Sequence, residues 1–206
     1  MKFRIPKNVK SFLFIPDEKN RYNLMLDKQF SIMNNICESI IAHELGHLWF
    51  HLEKYPYLIL KSKIRKQDII YERDLINTLA EDALCDSMAW ARDFEMDKLL
   101  IYQSNHLINT DISELGIGNK KRTWILERVI QIIRLIAAEF IHSNQKKSII
   151  EILEIKDKEL IKLAYNYYNQ IEGIIHKKNK KQHKVRIKQA LSCFYNEKPS
   201  YFDIKM

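Results

Sequence analysis

Residues 39–51 read SIIAHELGHLWFH, with His43, Glu44, Gly46, His47 and His51 at fixed places in a run that is otherwise uncharged. From Ser31 onward, Ile36, Ile40, Ile41, Leu45, Leu48 and Trp49 recur at steps of three and four, which predicts an α-helix. Residues four apart on a helix sit one turn above each other on the same face. His43 and His47 can therefore aim their imidazole nitrogens at one Zn²⁺. Glu44 lies roughly a third of a turn around, too far to join them easily but near enough to take a proton from a water on the metal. The apolar flanks suit a buried helix that holds its ligands rigidly. A buried His, Glu and His with no shared task would cost free energy. His43 and His47 are thus expected metal ligands, Glu44 the expected catalytic base, and zinc the expected cofactor.

A third protein ligand must come from elsewhere, with one position left open for water. The position ten residues after His43 is Glu53, so a third histidine at that spacing is missing. His51 lies two turns beyond His43, too far along a straight helix to close a tetrahedral site, and reads as support or packing. The next compact acidic cluster is Glu81-Asp82-Ala83-Leu84-Cys85-Asp86. Placed at helical steps, its apolar face centres near Leu79, Ala83 and Phe94. Glu81 falls on the opposite side with Asp74, Asn77 and Arg92. Asp82 and Asp86 fall at the margin, four apart, so that one can bind metal while the other orients a histidine. Glu81, Asp82 and Asp86 all stand as candidates at this point.

Outward from these segments, KSFLFIP (10–16) and RYNLML (21–26) flank the turn formers Asp17–Asn20 and predict a β-hairpin. Pro56 ends the first helix, and residues 55–68 read as a connection. A second helix is expected from about Ile69 to Tyr102. Residues 104–121 hold two of the four glycines and mark a boundary. Further helices are expected over about 123–143, 158–176 and 181–195. The expected fold is mainly α, of α+β type: a small N-terminal β-hairpin packed on the pair of site helices, then a C-terminal helical extension. The expected parts are 1–104, carrying the site, and 122–206, basic and helical.

The 206 residues carry a formal charge of +8, and four Gly and four Pro argue against an all-β chain with many tight turns. Up to residue 120 there are 16 basic and 17 acidic side chains; beyond it there are 18 and 9. The basic excess belongs to the C-terminal part, where an acidic protein or nucleic acid is the expected partner and a solvated lysine face the plainer alternative. Cys37, Cys85 and Cys193 form no CxxC, favouring free thiols in a reducing compartment. No signal peptide or membrane span is read, so the expected location is the cytoplasm, with no membrane contact.

The run from KSFLFIPDEKNRYNLML through SIIAHELGHLWFH resembles the strand–turn–strand–zinc-helix start of the ImmA/IrrE family of small metallopeptidases. These are minimal gluzincins, and the HELGHxxxH form that includes His51 is common among them. The resemblance spans about residues 11–95; residues 105–206 have no counterpart in it. It implies an intracellular zinc endopeptidase that cleaves a specific protein, a helix-turn-helix transcriptional repressor being the substrate class. LAEDALCDSMAWARDFEM (79–96) is a loose match to the family's second signature, with Cys85-Asp86 in the small-residue–Asp place and Met88-Ala89 in the aromatic–Ala place. The metal-ligand position then falls on Asp82, where the family prefers Glu, and the end of the signature is absent. Asp82 is therefore expected as third ligand, with Asp86 beside it and Glu81 the longer alternative. The competing expectation is a catalytically weak module of similar fold that acts through its basic C-terminal helices.

Overall fold

Helix α2 (Gln67–Trp90) is the element around which the others gather. In the computed structural model, which describes residues 15–16, 22–23, 34–61, 66–109, 119–195 and 199–205, it follows α1 (Asn34–Leu52) and precedes α3 (Met96–Asn109), α4 (Asn119–Ala137), α5 (Ser143–Lys156), α6 (Lys158–Ile171) and α7 (Lys180–Phe194). Two short antiparallel strand pairs complete the described residues. β1 (Ile15–Pro16) pairs with β2 (Tyr22–Asn23), and β3 (Tyr57–Leu60) pairs with β4 (Phe202–Lys205). The chain is mainly helical with a small β part, as expected. The turn between β1 and β2, and the packing of that hairpin, lie outside the described residues.

The main core is built by α2, α4, α6, α7 and β3. Ile76 and Leu79 meet Leu126, Val129 and Ile133, then Ala164, Tyr167, Ile187 and Ala190, with Phe202 of β4 closing one end. Each fully buried Ile or Leu here contributes about 1.5–3 kcal/mol relative to exposure. Residues from both sides of the expected boundary at 104–121 share this one cluster. Helix α1 packs on another flank of α2 and on α3, through Ile40 and Ala42 against Ala89 of α2 and Met96 and Leu99 of α3, and through Phe50 against Leu84, Cys85 and Met88. Among the described residues no helix is long and apolar enough to cross a membrane.

Several expected boundaries move, for local reasons. The second helix stops at Trp90 rather than Tyr102, because the chain turns through Asp93 at φ 64 before restarting at Met96. Aspartate tolerates this left-handed conformation better than most residues, so neither Gly nor Pro marks the break. The third helix begins at Asn119 and ends at Ala137, not Ser143. Residues 143–156, to which the sequence reading assigns no element, form α5. Its isoleucines lie almost all round the helix, with Ile149 buried and Ile155 exposed, so no clean stripe announces it. Asp157 separates α5 from α6 by accepting a hydrogen bond from the Leu160 N–H at 3.0 Å. Residues 57–60, read as connection, form a strand whose partner lies at the far C-terminus, with Leu60 opposite Phe202. Asn77 of α2 fastens this strand, accepting from the Leu58 N–H at 2.7 Å and donating to the Leu58 carbonyl at 3.2 Å.

Candidate metal centre

Helix α1 ends in a turn that matters for the site. Lys54 takes φ 53, the Tyr55 N–H bonds back to the Phe50 carbonyl at 3.0 Å, and the Lys54 N–H bonds to that of His51 at 3.1 Å. This is a Schellman closure, and its usual apolar contact is the Tyr55 ring edge-on to Phe50 at 4.8 Å. Gly46 faces α2 inside the motif. A Cβ there would lie 2.8 Å from Cys85 Sγ and 2.9 Å from Cys85 Cβ, so only glycine permits this approach of α1 to α2. The close approach sets His43 and His47 against the acidic cluster.

Two imidazoles and one carboxylate converge. His43 Nε2 and His47 Nε2 are 3.2 Å apart. Asp82 Oδ1 lies 3.1 Å from His47 Nε2 and 3.6 Å from His43 Nε2. It is buried and has no hydrogen-bond partner. On the far side of each ring a second carboxylate is engaged. His43 Nδ1 meets Asp86 Oδ1 at 2.8 Å, and His47 Nδ1 meets Glu81 Oε2 at 2.8 Å. A carboxylate accepts only, so both Nδ1 atoms carry a proton and donate it, and in the neutral rings both Nε2 lone pairs face inward. Tetrahedral bonds of about 2.0–2.1 Å place neighbouring ligand atoms roughly 3.3 Å apart. The three inward atoms match that spacing. The orphaned Asp82 oxygen and the two lone pairs fit a divalent metal, and the carboxylate–imidazole pairs are the usual orienting arrangement behind metal-bound histidines. Glu44 also offers an oxygen that lies, with the two imidazoles, in a group whose ligand atoms are within 4.8 Å of one another.

The charges are strongly coupled. Burial pushes His43 down, as does Arg134, but Asp86 and Asp82 outweigh them and leave it raised. Burial likewise opposes charging of His47, yet the Asp82 and Glu81 carboxylates beside it raise it well above its ordinary value. Burial would raise Asp82 and Asp86; the histidines and Arg134 instead hold both below the usual carboxylate range. Glu44 goes the other way. Burial raises it, and the nearby histidines only partly offset this. Burial pushes the Cys85 thiol up to about 12, so it stays protonated.

Each expected site residue has a definite place. His43, Glu44 and Asp82 are buried and His47 is half-buried. Asp86 stands behind His43, on the Nδ1 side of its ring. Glu81 does not point away from the site. It is half-buried and holds His47, because α2 is covered on several flanks and its polar margin is interior. His51, read as support or packing, and Leu45 are both exposed on α1.

Sequence reasoning missed Arg134 of α4. Its Nε donates to Asp86 Oδ2 and its Nη2 to Asp86 Oδ1, both at 2.7 Å, and its Nε is 3.8 Å from Asp82 Oδ2. The available signal was an arginine flanked by Ile132, Ile133, Leu135 and Ile136 in the apolar last turns of the helix. Such a residue needs a buried partner.

Comparison of the chain with protein-family models, with curated proteins and with solved structures finds no match.

Proposed function

We propose that the chain is a zinc-dependent endopeptidase of the ImmA/IrrE kind, acting in the cytoplasm on a specific protein. The observation that carries this reading is the convergence of His43 Nε2, His47 Nε2 and the partnerless Asp82 Oδ1 beside Glu44. His43, His47 and Asp82 would hold the metal. A bound zinc supplies Lewis-acid chemistry, acidifying water and polarising a carbonyl. Glu44 takes a proton from the water that attacks the peptide carbonyl and delivers it to the departing amine nitrogen. Its raised proton affinity, caused by burial, suits both transfers. Asp86 and Glu81 keep the two imidazoles in the tautomer and orientation that present Nε2. The substrate class suggested by the resemblance is a helix-turn-helix repressor. Lys177, Lys178, Lys180, Lys181 and Lys188 stand exposed and would face an acidic protein or nucleic acid, whereas Arg186 is buried and takes no part.

The test uses the purified chain. It should bind about one zinc, and His43→Ala with His47→Ala should abolish binding. Glu44→Gln should retain zinc and lose at least about 100-fold in cleavage of a peptide library or unfolded casein, the usual contribution of a positioned base. A wild-type chain without zinc affinity, or a Glu44→Gln variant that cleaves at the wild-type rate, overturns the proposal. Zinc binding with no cleavage would favour the module that acts through its basic helices.

A further inference from the structure

Asp86 accepts three hydrogen bonds from two neighbours. Its Oδ1 takes one from His43 Nδ1 at 2.8 Å and one from Arg134 Nη2 at 2.7 Å, and its Oδ2 takes one from Arg134 Nε at 2.7 Å. The two nitrogens that meet on Oδ1 stand 3.5 Å apart, both being donors to that one oxygen. Arg134 Nε is also 3.8 Å from Asp82 Oδ2, an ion-pair distance without a hydrogen bond, while Asp82 Oδ1 is left to the imidazoles.

An aspartate does not create this geometry by itself. Its last side-chain torsion is broad, with no staggered wells to fix the plane of the carboxylate. Direction has to come from partners. A guanidinium is a rigid planar fork whose N–H groups can meet both oxygens of a carboxylate at once. Nε and Nη2 of Arg134 do so here, and turning the carboxylate would break two charge-assisted bonds. With that plane fixed, Oδ1 stays in front of His43 Nδ1, and the ring stays with Nε2 inward. The packing of α4 explains why an arginine stands at this place. Ile132, Ile133 and Leu135 beside it are all buried, so the last turns of the helix are interior and Arg134 has no route to water. Its charge cannot be shed, and the acids of α2 are the counter-charges within reach.

We infer that Arg134 is a positioning residue for the candidate centre, its guanidinium locking the Asp86 carboxylate so that His43 presents Nε2 to zinc. The inference rests on the proposed zinc site. The sign of the effect separates positioning from charge balance. A fixed positive charge beside the centre repels a divalent cation, so loss of the charge alone would tighten zinc binding. Loss of positioning weakens it.

The experiment measures zinc affinity, by competition with a chromophoric chelator, and the visible spectrum of the cobalt-substituted chain, which reports ligand geometry. Both are read well below the melting temperature of each metal-free protein. Arg134→Met removes the charge and the fork. Arg134→Lys keeps the charge but loses the fork. Arg128→Met is the control for a weakened α4, since Arg128 is another buried arginine of that helix and donates to the Leu107 carbonyl at 2.8 Å. We expect both Arg134 variants to bind zinc about 10–100-fold more weakly, the usual effect of removing a partner behind a metal ligand, and to shift the cobalt bands. Arg128→Met should keep the wild-type affinity and spectrum. In an Asp86→Asn background the fork is already broken, because the amide nitrogen donates, and Arg134→Met should cause no further loss. Tighter binding by Arg134→Met, wild-type affinity in Arg134→Lys, an equal loss in Arg128→Met, or an undiminished loss in the Asp86→Asn background each overturn the inference. Should Arg134→Met fail to fold, Arg134→Lys and its cobalt spectrum decide. If the wild-type chain binds no zinc, the proposed function falls and takes this inference with it.

Discussion

Replacing Arg134 with Met tests how the centre is held together. Arg134 and Asp86 are 4% and 2% exposed at their side chains, and two hydrogen bonds of 2.7 Å join them. Met fills much of the volume but leaves the Asp86 carboxylate with only His43 as a polar partner among the contacts described. Removing one member of a buried pair costs about 3–5 kcal/mol, chiefly because the other charge is left uncompensated. For a chain of this size each kcal/mol moves the melting point by about 2–4 °C, so the metal-free variant should melt roughly 6–20 °C lower. The double variant Arg134→Met/Asp86→Asn removes both charges, and its amide oxygen still accepts from His43 Nδ1. It should regain well over half of the lost stability, since replacing a buried pair by neutral groups is often close to neutral. Denaturant unfolding of the wild type, both single variants and the double variant, all in chelator, gives the coupling energy directly. A single variant that melts within 2 °C of wild type, on the roughly 2–4 °C scale above, would refute the reasoning. So would a double variant no more stable than Arg134→Met.

Two other outcomes follow from the same contacts. Gly46→Ala should cost about 1–3 kcal/mol or more, because the new methyl would meet Cys85 at 2.8–2.9 Å, and zinc affinity should fall with it; Cys85→Gly should restore part of both. A Gly46→Ala chain with wild-type unfolding midpoint and zinc affinity would show that the helices separate freely. His183 gives a pH signature, being faced by Glu81, Arg186, the Pro56 carbonyl and His47, with the Tyr55 ring edge-on. Its folded pKa of about 4 lies below the unfolded value of about 6.5, so the unfolded chain takes up the proton first as pH falls. Stability from this group is therefore complete above pH ~6.5, declines towards pH ~4, and reaches a loss of roughly 3 kcal/mol. His183→Phe should gain on wild type by that order across this window, and parallel pH profiles for the two proteins would contradict it.

Much of the centre was legible because its first layer obeys helical periodicity. His43 and His47 are four apart, as are Asp82 and Asp86, and each pair needs only one helix to be aligned. Glu81 was misread for a physical reason. Helical phasing assumes one apolar side and one wet side, but α2 is packed against α1, α4 and α7, so its charged margin is inside. Arg134 and His183 were hidden more deeply. They lie 48 and 102 residues beyond Asp86 and Glu81, and no local spacing links them. The strand at 57–60 was illegible for the same reason, since its partner is 202–205. The break at Asp93 was a different failure, a left-handed residue without the glycine that normally signals one.

The basic excess of the last 86 residues also takes on a different meaning. Arg128, Arg134 and Arg186 from that part are all buried. Arg134 neutralises an acid of α2, Arg186 donates to backbone carbonyls and to His183, and Arg128 donates to the Leu107 carbonyl at 2.8 Å. A buried guanidinium cannot shed its charge at neutral pH, so each must be matched where it lies. Part of what charge counting assigns to a partner surface is therefore spent inside, and Arg134 and Arg186 spend it next to the candidate centre. A chain cut at residue 104 would keep His43, His47 and Asp82, yet would leave Asp86 without its arginine. The acids that orient the histidines come from α2, but the arginine that fixes Asp86 comes from α4. On this reading the helical extension is the outer wall of the site, and only its exposed lysines are free to meet a partner.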